Sequence, residues 1–142
     1  MKYDKKFIVT ALFVGVLAIS SSAYAGVVDY WEFNDFHNGW SNGGYLYTED
    51  AFSTDSNEEV TIKFWQTTGD SSAPAKIQYG VVEDVWYGWE LYGDTETFTM
   101  NNSAGRLQSH TFSDIPEGDD YHIRMVAKTA RYMDGGGNVN IP

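Results

Sequence analysis

Four aromatic side chains, Trp40, Trp65, Trp86 and Tyr92, are the residues of this chain best suited to binding chemistry. Strand alternation puts Trp65 on one face with Thr61, Lys63 and Thr67, and Trp86 on one face with Gly88, Glu90 and Tyr92. Trp40 stands in a Gly- and Asn-rich loop beside Phe36 and His37. A large ring facing water is costly unless it is covered or used. Two arrangements satisfy that rule. In one, a loop or a second sheet covers the rings, with Trp40 as a plug over the core. In the other, the rings form a flat platform. Such a platform would stack on the apolar C–H faces of sugars while polar neighbours bond their hydroxyls. Carbohydrate or another cell-envelope polymer is the ligand class expected of it.

Carboxylates are the second group. Asp114, Glu117, Asp119 and Asp120 crowd one Gly-containing loop, and Glu49, Asp50, Asp55, Glu58 and Glu59 crowd another. Hard oxygen donors on such a loop would take Ca²⁺, although the spacing does not follow the EF-hand pattern. The alternative is a solvated acidic loop that keeps the protein soluble. Catalytic groups are sparse. With no cysteine, thiol nucleophiles and thiolate-bound zinc are excluded. His37, His110 and His122 fall in no H-x-x-x-H spacing, and no G-x-S-x-G elbow is present. Alternation sets His122 beside Arg124 as an outward-facing surface pair. A small hydrolase with a carboxylate pair is the least favoured reading, and a non-catalytic protein is expected.

These side chains need elements to hold them. Lys2, Lys5 and Lys6 precede the uncharged run Phe7–Ile19, and Ala23-Tyr24-Ala25 is an A-x-A cleavage site. Residues 1–25 are therefore expected to be a signal peptide, helical in its apolar part, and residues 26–142 a single domain. The apolar run falls short of the roughly 20 residues of a transmembrane helix. No cysteine follows the cleavage site to carry lipid, and Gly135–Pro142 contains no apolar stop-transfer stretch. The expected product is a secreted, extracellular, bacterial protein with no stable membrane anchor. Cleavage removes three lysines and one aspartate, taking the formal charge from −11 to about −13. That balance argues against nucleic acid.

Helical periodicity is absent from residues 26–142, and period-two alternation recurs between Gly, Asn, Asp and Ser clusters. Strands are expected at 27–33, 45–48, 59–67, 75–82, 85–92, 95–100, 106–112, 120–128 and 139–141. Gly93-Asp94 reads as a hairpin turn, and 49–57 as a loose connection. Phe64, Tyr79, Trp89 and Tyr121 fall on apolar faces and are expected in the core. Eight or nine short strands with one-sided faces predict an all-β fold, an antiparallel β-sandwich of jelly-roll or immunoglobulin-like type. The segment Ile115–Arg124 resembles the P-x-G-x-Y-x-(I/V)-R turn-and-strand of bacterial secreted sandwich modules, including the prepeptidase C-terminal type, with one extra Asp before Tyr121. The resemblance implies a sandwich fold and transfers no function. The functional expectation is a secreted binding module. The alternative is a structural or assembly protein, or a bacteriocin-like effector, whose partner is another protein.

Overall fold

The computed structural model describes residues 26–40, 42–103 and 105–142; the expected signal segment lies outside them. Among the described residues there is no helix. Nine strands run in order: β1 (Val27–Phe36), β2 (Tyr45–Tyr47), β3 (Phe52–Thr54), β4 (Val60–Thr67), β5 (Ala75–Val85), β6 (Gly88–Met100), β7 (Gln108–Phe112), β8 (Gly118–Ala127) and β9 (Met133–Asn140). They form two antiparallel sheets. The first has the order β1-β9-β4-β7 and the second β2-β8-β5-β6, with β3 pairing on β8 next to β2. The antiparallel β-sandwich expected from the alternation is the architecture found.

The core lies between the sheets and follows the two-residue period. Val60, Ile62 and Phe64 of β4 face Ile77, Tyr79 and Val81 of β5, and all six are fully buried. Each such side chain contributes about 2 kcal/mol by leaving water. Phe64 and Tyr79 pack with ring centroids 4.7 Å apart, and Tyr121 joins the same cluster. Gln66 continues the inward row of β4 and is also fully buried. Its Nε2 donates to the carbonyls of Ala75 and Phe98 at 3.1 and 2.9 Å, and its Oε1 accepts from the Tyr79 hydroxyl at 3.0 Å. One amide thus ties the first sheet to two strands of the second. Gln66→Leu should lower the unfolding free energy by about 3 kcal/mol, because three buried polar groups lose their partner. Urea denaturation reads this directly, and a loss within about 0.5 kcal/mol would show that water replaces the amide.

Three sequence expectations are corrected. The chain does not reverse at Gly93-Asp94. It reverses at Trp86-Tyr87, where β5 and β6 form one long hairpin. Gly93, Asp94 and Thr95 instead bulge opposite the single residue Gly80, since the pairing jumps from Tyr79↔Glu96 to Val81↔Tyr92. Glycine with positive φ suits a bulge as well as a turn, and Gly93 has φ 69°. The expected loose connection at 49–57 contains β3. Phe52 there is buried, and Thr54 Oγ1 donates to the Pro116 carbonyl at 2.7 Å. Gly135–Gly137 do not lead into the last strand but form its middle, between β1 and β4.

Candidate functional site

The four aromatic residues singled out by sequence lie in different parts of the molecule. Trp65 is half-buried on the outer face of the first sheet, level with Gly136 of β9. Trp86 stands 94% exposed at the β5–β6 turn, edge-on to Tyr87 at 5.2 Å. Trp40 packs edge-on against Phe36 at 4.9 Å, and its Nε1 donates to the Asp35 carbonyl at 2.8 Å. Tyr92 turns inward, because the register of the β5–β6 hairpin sets it opposite Val81, which faces the core. Its ring meets Tyr121 edge-on at 5.8 Å, and its hydroxyl donates to Glu83 at 3.0 Å. That bond to a carboxylate, which holds the phenolic proton in place, drives the Tyr92 pKa well above its usual value.

The acidic loop is likewise dispersed. Asp119 and Asp120 are both exposed at the start of β8, where the pairing with β3 is irregular. Asp119 accepts from Ser53 Oγ at 2.6 Å. Asp114 and Asp120 both adopt positive φ, at 61° and 64°, as turn residues do. Among the described residues no three His, Asp or Glu side chains converge as a metal set would, so Asp114, Glu117, Asp119 and Asp120 do not form one.

A different set of side chains does converge, on the outer face of the second sheet. Inward residues of its strands include Leu46, Ile123, Met125, Tyr79 and Val81, which leaves Tyr45, Tyr47, His122, Arg124, Gln78, Val82 and Trp89 outward. The pairing arranges these in rows across the strands. Tyr45 stands in line with Val126, Gln78 and Thr97; Tyr47 with Arg124 and Gly80; His122 with Val82 and Leu91. The Trp89 and Tyr47 rings stack at 4.3 Å with an interplanar angle of 11°. Their strands are the two edges of the sheet, separated by β8 and β5. Three flat strand spacings would be about 14 Å, so the β6 arm must curl over the face. The bulge supplies the extra twist. Gly80 supplies the room, for a Cβ there would meet Leu91 Cδ1 at 3.0 Å and Thr95 Cγ2 at 3.1 Å.

The curled arm seals Val82, which is fully buried although it faces outward. It also covers His122, which is only 7% exposed and meets Trp89 edge-on at 5.1 Å. The expected surface pair of His122 and Arg124 is corrected accordingly. His122 Nδ1 lies 2.7 Å from the Thr48 carbonyl; a carbonyl only accepts, so Nδ1 carries the proton. Trp89, expected in the core, is instead half-buried on this outer face. One indole face rests on Tyr47, and the ring stays partly exposed while Tyr47 beneath it is buried. Arg124 holds its guanidinium 5.5 Å from the centre of the Tyr45 ring. The arrangement presents flat apolar rings, a cation and the amide of Gln78 on one surface, which is chemistry suited to stacking on sugars and bonding their polar groups. Reading Tyr45 and Tyr47 as one outward pair, with Leu46 inward, would have exposed half of this set in the sequence. The Trp89 half depended on locating the hairpin turn.

No family model matches the chain, and no curated protein matches it. Solved structures do. One described as "CBM4 structure and function" is 12% identical with a TM-score of 0.50, over 84% of this chain and 82% of that one. A non-crystalline cellulose specific carbohydrate-binding module, CBM28, is 16% identical with a TM-score of 0.49, over 78% and 70%. The CBM22-1 xylan-binding domain from Paenibacillus barcinonensis Xyn10C is 12% identical with a TM-score of 0.39, over 82% and 86%. At such identities the likeness is one of fold: this chain shares the two-layer β-sandwich of the CBM4 structure.

Proposed function

We infer that the protein is an exported, non-catalytic module that binds carbohydrate on the outer face of its second sheet. The observation that carries this reading is the Trp89–Tyr47 stack, drawn together from opposite sheet edges onto an outer face, with Trp89 partly exposed. Rings serving only as core would lie between the sheets, as Phe64 and Tyr79 do. Trp86 and Tyr87, 94% and 62% exposed at the tip of the same hairpin, extend the surface beyond Trp89. The shared fold with a carbohydrate-binding module structure supports the class. Trp65, on the opposite sheet, serves as the comparison residue.

Affinity electrophoresis through gels containing soluble glycans tests the reading. Trp89→Ala should weaken retardation by about tenfold to a hundredfold, as the loss of a central aromatic anchor does. Trp86→Ala should weaken it by about threefold, and Trp65→Ala should leave it unchanged. Circular dichroism checks that each variant is folded. Retardation kept by folded Trp89→Ala and lost in Trp65→Ala would move the site to the first sheet and overturn this assignment.

A further inference from the structure

We propose that the glycan held on this face is an anionic polysaccharide, one bearing carboxylates along its chain; the proposal rests on the carbohydrate reading above. Within residues 26–142 the cationic side chains are Lys63, Lys76, Arg106, Arg124, Lys128 and Arg131, whereas all of the chain's 20 acidic residues except Asp4 fall in the same span. Such an excess would surround scattered cations with acids. Three of the six instead share the outer face of the second sheet. Lys76 is opposite Lys128, whose backbone N–H donates to the Lys76 carbonyl at 2.9 Å, and Arg124 lies on the same face of β8 as Lys128. Both lysines are exposed, and Arg124 is partly so.

The rows that hold these cations carry no acid on β2, β8 or β5. Their other members there are Tyr45, Tyr47, Val126, Gln78 and Gly80. Asp94, in the β6 bulge, is the nearest acid by register, and Asp84 lies beyond Val82. Among the described residues no carboxylate pairs with Lys76, Arg124 or Lys128. Arg124 Nε is buried without a hydrogen-bond partner, and the guanidinium lies 5.5 Å from the centre of the Tyr45 ring. A guanidinium offers a planar fork of donors that fits a carboxylate. The lysine pair lies four residues along β8 from Arg124, about 13 Å, with Tyr45 flanking the strand between them. One sugar acid cannot reach both cation groups while lying on the rings, but an acidic polymer presents charges at repeated intervals. The strong negative charge of the rest of the molecule disfavours the denser charge of a nucleic acid.

The test is affinity electrophoresis of the whole protein against alginate, polygalacturonate, fully methyl-esterified pectin, a sulfated glycan, xylan and hydroxyethylcellulose. A single-stranded oligodeoxynucleotide is measured as competitor. Alginate or polygalacturonate should be held at least tenfold more tightly than the esterified polymer, with the difference shrinking at about 0.5 M salt. Arg124→Gln should cost about tenfold, and Lys76→Gln with Lys128→Gln about threefold to tenfold, on the acidic polymers alone. The exposed lysine pair supplies a readout that does not depend on the packing around Arg124. Equal binding of esterified and acidic polymers, no effect of these variants, or preference for the sulfated glycan or the oligonucleotide overturns the proposal. Neutral glycans bound in a Trp89-dependent way would leave the carbohydrate reading standing without it; no retardation by any polymer would remove both.

Discussion

Gly137→Ala is expected to cost on the order of 5 kcal/mol, enough to leave much of the protein unfolded at 37 °C. Gly137 lies in the middle of β9, paired to Trp31 of β1 on one side and Phe64 of β4 on the other. A Cβ at this position would stand 2.4 Å from Trp31 Cζ2 and 2.6 Å from the Lys63 carbonyl oxygen. The two obstacles differ in kind. Trp31 is a fully buried side chain, wedged against Tyr79 with ring centroids 6.3 Å apart. The Lys63 carbonyl is ladder backbone and cannot retreat without opening the β4–β9 pairing. Gly135 shows the same construction one pleat earlier, where a Cβ would meet Phe33 Cζ at 2.5 Å and the Trp65 carbonyl oxygen at 2.7 Å. Large rings from β1 thus lie flat across β9, and the glycines are the recesses that admit them. Pairing Gly137→Ala with Trp31→Leu should recover part of the loss but not all, because the backbone obstacle remains. Urea unfolding of the single and double variants gives the coupling. A soluble Gly137→Ala protein melting within a few degrees of the parent would refute the recess argument.

The glycine run explains why one central strand is harder to read in the sequence than its neighbours. Alternation is a side-chain signal, and it was strong in β4, β5 and β8, where one face is fully buried. In Gly135–Gly137 there is no side chain to alternate, so a central strand reads as a linker. The β5–β6 hairpin failed for the opposite reason. Asp84, Gly93 and Asp94 are good turn residues, while the actual reversal uses Trp86 and Tyr87, which resemble strand residues. Placing that turn wrongly inverted the faces of Trp89 and Tyr92. The alternation therefore places Trp89 in the core, where the structure has it on the outer face, and Tyr92 on the surface, where the structure has it turned inward. Only contact across four strands brings Tyr47 to Trp89, and no local spacing encodes that. The acidic loop at 114–120 misleads in a simpler way: crowding in sequence does not bring three carboxylates together among the described residues.

Asp29→Asn is expected to make the protein more stable above neutral pH and to flatten its dependence on pH. Asp29 faces the interior at the start of β1 and is 6% exposed. Its Oδ1 accepts from the Tyr30 N–H at 2.8 Å, while Oδ2 is buried without a partner. Burial pushes its pKa up from 3.8 to about 7, with repulsion from Asp50 and Glu49 adding to the effect and the Tyr30 N–H and the Thr48 hydroxyl opposing it. A raised carboxyl pKa means that the folded protein holds its proton where the unfolded chain has already released it. Stability is then full below pH 4 and is lost as pH climbs from about 4 to about 7. The shift corresponds to a loss on the order of 4 kcal/mol by pH 8, or roughly 15 °C in a domain of this size. Asp70 works in the other direction. Hydrogen bonds from Ser72 lower its pKa, so its effect lies below pH 4 and outside this window. Asparagine keeps the acceptor for Tyr30 and carries no charge, which makes it a mimic of the protonated acid. Thermal melts of the parent between pH 5 and pH 8 should show the descent, and Asp29→Asn should hold nearly level and exceed the parent at pH 8. A parallel descent in both proteins would place the titrating group elsewhere.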